Sequence, residues 1–101
     1  MNKLVRDSIP AIIAEAGRSC KWRRVYDVNE HTVYLKKKMA EEVNEFIENP
    51  SYEEAADMLE VLKSFCHVYN LQFPLVELDA RIKERERGGF NQGIILLEVE
   101  K

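Results

Sequence analysis

Cysteine is nearly absent from this chain: Cys20 and Cys66 are the only two in 101 residues. Two cysteines so far apart exclude a disulfide scaffold and a zinc motif of paired cysteines. Cys66 lies among apolar residues and reads as a buried, reduced thiol. Also missing is any apolar run approaching the roughly 20 residues that a membrane helix needs. The opening Met1-Asn2-Lys3-Leu4-Val5-Arg6-Asp7 has none of the apolar character of an export signal. These absences predict a protein of a reducing, cytoplasmic compartment with no membrane partner. No basic block occurs either. The basic residues number 15 against 18 acidic ones, a net charge of −3. The clustered positive charge on which nucleic-acid affinity rests is lacking, so no DNA or RNA polymer is expected as a partner.

What is present is an ordinary hydrophobic content of 46% beside a high charged content of 33%. The length suits one domain, residues 1–101, and a chain this short buries a limited share of its surface by itself. No repeat or low-complexity segment interrupts it. Asp7 or Ser8 can cap a short helix with Pro10 in its first turn and Gly17 at its end. Residues 23–28, in the aromatic and β-branched stretch around Trp22 and Tyr26, predict a short strand. Helices are predicted over 30–48 and 52–69, separated by Asn49-Pro50-Ser51, and over 74–87, stopped by Gly88-Gly89. The apolar residues 94–99 predict a buried second strand that pairs with the first. The expected fold is mainly α: a helical bundle around an antiparallel helix hairpin, with a small two-stranded β element. In the helix over 52–69, the core stripe is Ala55, Leu59, Leu62, Cys66 and Tyr69, with Val61, Phe65 and Val68 on a further apolar face. Those seams exceed what one hairpin partner covers, which predicts self-association.

The hairpin carries the chemistry. Glu42-x-x-Glu45 precedes its turn and Glu54-x-x-Asp57 follows it. Residues three apart share a helix face, so each helix offers two carboxylates in one direction. Glu45 and Glu54 are equidistant from the turn, as are Glu42 and Asp57, and the two levels are about 4.5 Å apart at about 1.5 Å rise per residue. An ordinary solvated acidic face is the plainer account of such residues. Helical phase opposes it: Glu54 and Asp57 continue the face of Val61, Phe65 and Val68, while Glu42 and Glu45 flank Met39, Val43 and Phe46. Ser51-x-x-Glu54 is also a capping box, which accounts for Glu54 without a metal but not for the other three acids. Converging carboxylates at about 5 Å repel by roughly 3 kcal/mol per pair at an effective dielectric of 20. Cations relieve this, and an all-oxygen donor set selects Mg²⁺, with Mn²⁺ as the alternative. Mg²⁺ held by carboxylates commonly completes its shell with water and phosphate, so a phosphorylated substrate is expected.

These residues resemble the all-α nucleotide pyrophosphohydrolases of the MazG and phosphoribosyl-ATP pyrophosphohydrolase superfamily. The resemblance lies in Glu41-Glu42-Val43-Asn44-Glu45 followed by Glu54-Ala55-Ala56-Asp57. The opening from Asn2 to Pro10 and the closing Arg87-Gly88-Gly89-Phe90-Asn91-Gln92-Gly93 are similar to a short-chain branch of that group. The resemblance implies hydrolysis between the α- and β-phosphates of a nucleotide, with Mg²⁺ on Glu42, Glu45, Glu54 and Asp57. It also implies assembly as dimers or tetramers. Glu42 and Glu45 are the candidates for taking a proton from the attacking water. Glu41 is a further candidate, with a solvated pairing to Lys37 or Lys38 as its plainer use. For phosphate binding the candidates are Lys83 and Arg87, one turn apart before Gly88-Gly89, together with Lys3, Arg6 and Lys38. Lys38 also suits an i,i+4 pair with Glu42. Trp22 and Phe90 are candidates for stacking on a base, against core or interface packing. Eight residues separate Glu45 from Glu54, leaving no room for a loop that shapes a base pocket. Chemically related alternatives are a general nucleoside triphosphate pyrophosphohydrolase and a phosphoribosyl-ATP pyrophosphohydrolase. A non-catalytic helical module that binds nucleotide or dimerises is the rival from another class.

Overall fold

The structure, a computed structural model, describes residues 2–100. Four α-helices follow one another: α1 (Ile9–Glu15), α2 (Val28–Glu48), α3 (Tyr52–Val68) and α4 (Phe73–Arg87). They divide between two compact units, one running through Asn70 and the other starting at Leu71.

In the first unit, α2 and α3 form an antiparallel hairpin across the turn at Asn49-Pro50-Ser51. Both helices start with side-chain caps. Asp27 accepts from Glu30 N–H at 2.8 Å, and Ser51 accepts from Glu54 N–H at 3.1 Å, each filling one of the orphan donors of a first turn. The short α1 has Ser8 at its N-cap without a side-chain capping bond, so neither residue expected to cap it by side chain does so. Its other end closes through Gly17 at φ +77°, where Gly17 N–H bonds Ala14 C=O and Arg18 N–H bonds Ile13 C=O. That left-handed conformation favours glycine, and the paired bonds form a Schellman closure.

No strand occurs among the described residues, so the expected β element is absent. Residues 23–27 are instead consumed by the start of α2. Arg23 makes two hydrogen bonds to the Glu30 carboxylate, at 2.8 and 3.1 Å, and Tyr26 N–H donates to the same carboxylate at 2.9 Å. The Arg23 guanidinium also lies 4.0 Å from the Tyr26 ring centroid. A backbone N–H turned onto a helix cap cannot serve a sheet ladder. Residues 94–99, apolar but for Glu98, remain exposed and form no ladder.

The interior of the first unit is narrow. Leu35, Glu42, Val61 and Cys66 are its buried residues. On α3 the face turned to α2 carries Glu54, Asp57, Val61, Phe65 and Val68. Leu59, Leu62 and Tyr69, expected in the core, stay exposed, and Ala55 with them. The correction has a geometric cause: a two-helix hairpin covers only one stripe of each helix, and the stripe containing the acids is the one covered. Ahead of α1, the chain crosses the hairpin. Residues 2–4 lie against α2, and Arg6 reaches α3.

In the second unit, Pro74 occupies the first turn of α4, where its missing N–H costs nothing. Gly88 ends the helix at φ +82° and donates to Glu84 C=O at 2.8 Å. Leu75, Leu78 and Ile82 give α4 a partly exposed apolar stripe. No helix among the described residues is long and apolar enough to cross a membrane.

Candidate functional site

One seam between α2 and α3 has two characters. Away from the turn it is closed by Leu35 and Val61; toward the turn the same stripe continues as carboxylates. Glu42 is the hub. Its oxygens belong to two groups, Glu41–Glu42–Glu45 and Glu42–Glu54–Asp57, and within each group one carboxylate oxygen per residue lies within 4.8 Å of the others. Glu42 is 4% exposed. Glu54 and Asp57 are half-buried, and Glu45 alone in the two groups is exposed. The four acids expected to converge therefore divide. Glu54 and Asp57 meet Glu42, whereas Glu45 meets Glu42 and Glu41.

The charge at this hub is not balanced from within. Glu42 Oε1 lies 3.2 Å from Lys38 Nζ, the expected i,i+4 pair, and Lys38 also lies 3.5 Å from Glu41. The second oxygen, Glu42 Oε2, is buried with no hydrogen-bond partner, as is Glu54 Oε2. A buried carboxylate oxygen without a donor carries a desolvation penalty of about 1–3 kcal/mol. Burial pushes the Glu42 carboxyl above its ordinary range. The Lys38 ammonium opposes that shift, and the neighbouring Glu45 and Asp57 carboxylates reinforce it. Burial works against the Lys38 charge too, yet the Glu42 and Glu41 carboxylates outweigh it and hold Lys38 above its usual range. The capping account of Glu54 covers only its backbone N–H.

Arg6 supplies a cation from the other side. Its Nη2 lies 2.6 Å from Asp57 Oδ1, and its Nη1 lies 3.8 Å from Glu60. This pair joins residues 51 positions apart, and nothing in the local pattern announced it. Arg6, a candidate for phosphate, pairs in the structure with a carboxylate of the Glu42–Glu54–Asp57 group.

Beside Glu41, a cleft of about 180 Å³ is lined by Asn2, Lys3 and Leu4 together with Tyr34, Lys37, Lys38 and Glu41 of α2. Two of the expected phosphate ligands, Lys3 and Lys38, thus come together. Lys37 and Tyr34 were missed as candidates. Their signal was present in the sequence, since Tyr34, Lys37, Lys38 and Glu41 follow the three- and four-residue spacing of one helix face.

Trp22, Lys83, Arg87 and Phe90 are the remaining candidates. Trp22 is exposed, with the Arg24 guanidinium 5.1 Å from its ring centroid, and it does not line the cleft. Lys83, Arg87 and Phe90 belong to the second unit. There Lys83 lies 3.8 Å from Asp79, Arg87 is the last residue of α4, and Phe90 is exposed. A Cβ at Gly88 or Gly89 would meet nothing within 4 Å.

The donor set fits a hard divalent cation. It is all oxygen, it includes two buried oxygens lacking a donor, and like charges at 4.8 Å repel by about 3 kcal/mol per pair at an effective dielectric of 20. Oxygens on opposite sides of one Mg²⁺ stand about 4 Å apart, so side-chain adjustment alone could bring either group to that spacing. Comparisons with protein-family models, with curated proteins and with solved structures find no match to this chain.

Proposed function

We propose that this protein is a cytoplasmic, Mg²⁺-dependent nucleotide pyrophosphohydrolase of the MazG-like type, converting a nucleoside triphosphate and water to the monophosphate and pyrophosphate. The observation that carries the reading is Glu42: 96% removed from solvent by its 4% exposure, with one carboxylate oxygen lacking any donor, at the junction of both acidic groups. A purely structural acid at such a depth would be expected to have its oxygens satisfied. A phosphate-processing metal centre gives that oxygen a use.

Glu42, Glu54 and Asp57 would hold the ion, with Glu41 and Glu45 completing the donor set on the other side of Glu42. Mg²⁺ there would polarise the phosphates and lower the pKa of water, as would Mn²⁺. Glu45 is the exposed acid of the set, and it is the residue best situated to take the water's proton. Water attacks one of the two bridged phosphorus atoms in line, the P–O bond of the α–β bridge breaks, and pyrophosphate leaves. Lys38 neutralises charge next to Glu42, and Lys3 lines the same cleft as Lys38. Arg6, paired with Asp57 in the structure, would be available to phosphate if Asp57 turned to a metal.

Self-association belongs to the same reading. No element of the first unit covers Leu59, Leu62 or Tyr69, and a second copy in a homodimer or homotetramer would do so. The deciding experiment is pyrophosphate release from a panel of nucleoside triphosphates and phosphoribosyl-ATP, with and without Mg²⁺. Mg²⁺-dependent release supports the reading, and the preferred substrate separates a general nucleotide-clearing enzyme from one of histidine synthesis. Silence across the panel from folded protein would favour a non-catalytic module.

A further inference from the structure

The segment ahead of α1 is tied to both helices of the hairpin by few contacts. Asn2, Lys3 and Leu4 line one cleft with Lys38 and Glu41 of α2, while Arg6 Nη2 stands 2.6 Å from Asp57 Oδ1 of α3. Among the described residues, Arg6 makes the only hydrogen bond and the only ion pairs from residues 2–18 to the hairpin. The helix that follows adds no deep anchor. It has no buried residue, Ile9, Pro10 and Ile13 being half-buried, and it makes no close approach to α2 or α3. At 7 residues α1 is also too short to hold its shape unaided.

The Arg6 contact falls on the acidic group itself. Asp57 belongs with Glu42 and Glu54, whose Oε2 atoms are both buried without a donor. Asp57 has a donor, and Arg6 provides it. That hydrogen bond holds the Arg6 guanidinium above its usual range against the cost of desolvation, and the charges of Asp57, Glu60 and Glu42 add to the pull. Arg6 thus supplies part of the positive charge that the acids lack. A divalent cation among them would supply more, and would repel a guanidinium so close to it. Glu60 is a poor second anchor: at 3.8 Å from Arg6 it is beyond hydrogen-bonding distance, and Lys63 Nζ stands equally far from it.

We propose that residues 2–8 form a strap latched on Asp57 by Arg6, and that a divalent cation bound by Glu42, Glu54 and Asp57 releases it. The inference rests on the metal-centre reading and adds regulation to it. Metal-free protein keeps the strap across the acidic end of the hairpin, and metal-bound protein frees that approach. The latch is light: the Arg6 and Asp57 side chains are 54% and 30% exposed, and ion pairs so exposed shift an equilibrium by about two- to fivefold. Coupling of this kind is reciprocal, so losing the latch tightens metal binding by the factor with which metal loosens the latch.

A nitroxide on the strap tests this without requiring turnover. Ser8→Cys places the label at an exposed residue whose side chain makes no capping bond. Cys20→Ser removes the other exposed thiol, and Cys66 is buried. Electron paramagnetic resonance of the full-length protein reads the label's mobility, and calorimetric titration reads Mg²⁺ binding in the same sample. Mg²⁺ is expected to narrow the spectrum. Adding Arg6→Gln should give the narrow spectrum before any metal is present and tighten Mg²⁺ binding about two- to fivefold. Circular dichroism checks that the hairpin is folded. If Mg²⁺ binds and the spectrum stays broad, the latch is refuted while the metal centre stands, and Arg6 then positions Asp57 by its second oxygen. A broad spectrum in metal-free Arg6→Gln also refutes it, since the strap would be held by other contacts. Absence of Mg²⁺ binding in both proteins sinks the metal centre and the latch together.

Discussion

Two glutamates on α2, twelve residues apart, meet opposite fates. Glu30, at the first turn, accepts two hydrogen bonds from Arg23 and one from Tyr26 N–H. The Arg23 bonds and then the backbone donor hold its carboxyl below the ordinary range. Glu42, in the middle of the helix, has one lysine at 3.2 Å, an oxygen without a donor, and a carboxyl pushed up by burial. The satisfied acid builds the fold, by tying the segment before α2 to the first turn of the helix. The unsatisfied acid weakens the fold that holds it and is the stronger candidate for chemistry.

The widest separation between the two should appear in turnover. Glu42→Gln keeps the side chain's shape and removes the charge on which metal and water depend, and hydrolysis should fall about 10²- to 10⁴-fold. Asp57→Ala should behave likewise. Glu30→Gln should leave the rate of the folded protein within about twofold, because it lies outside both acidic groups. Stability should run the other way. In metal-free protein Glu42→Gln should raise the melting temperature, and Glu30→Gln should lower it. Steady-state kinetics and thermal denaturation of the same two variants test the contrast, which collapses if both lose activity equally or if Glu42→Gln melts lower.

A middle-sized effect belongs to Arg6, which sits on the metal side of the comparison while making an ordinary ion pair. Because its guanidinium occupies Asp57 at 2.6 Å, Arg6→Ala should tighten Mn²⁺ binding in the absence of nucleotide. The same change should lower kcat/KM about tenfold, by removing one charge-assisted contact to phosphate. Manganese titration followed by electron paramagnetic resonance measures the first effect. Weaker manganese binding would mean that Arg6 positions Asp57 for the metal and does not compete with it.

The hairpin and the acids on it were legible in the sequence because helical spacing is local. Three-residue steps from Glu42 and Glu54, the break at Asn49-Pro50-Ser51 and the Ser51 cap each follow from neighbours in the chain. Which stripe of α3 faces α2 was not legible. Leu59 and Val61 carry similar hydrophobic weight, and only the packing of the pair decides between them. The strand expected over residues 23–28 failed because β propensity outweighed a cap signal that was also present: Asp27 stands three residues before Glu30, the spacing of a capping pair. Arg6 on Asp57, and Lys3 in one cleft with Tyr34, Lys37 and Lys38, depend on a crossing of the chain that no local pattern encodes.

The smallest predicted effect is a pair of opposed pH slopes. Glu42 has a folded-state pKa raised above its ordinary value of 4.5, so the folded protein holds its proton more tightly than the unfolded chain. Its contribution favours the fold as pH falls from above the raised pKa to below 4.5, and it opposes the fold at neutral pH. Glu30 has a pKa lowered from 4.5; its contribution is present above that value and is lost as pH falls through the lowered one. Melting curves from pH 3 to 8, taken as differences between native protein and each glutamine variant, should therefore slope in opposite directions. Asp27→Ala should lower stability by about 1 kcal/mol at neutral pH by removing the α2 cap. Adding Mg²⁺ should cancel the neutral-pH disadvantage of Glu42, because a ligand carboxylate must be deprotonated to bind, and leave the Glu30 slope unchanged. If Mg²⁺ moves neither curve, the lone oxygen of Glu42 is a cost of packing and marks no metal centre.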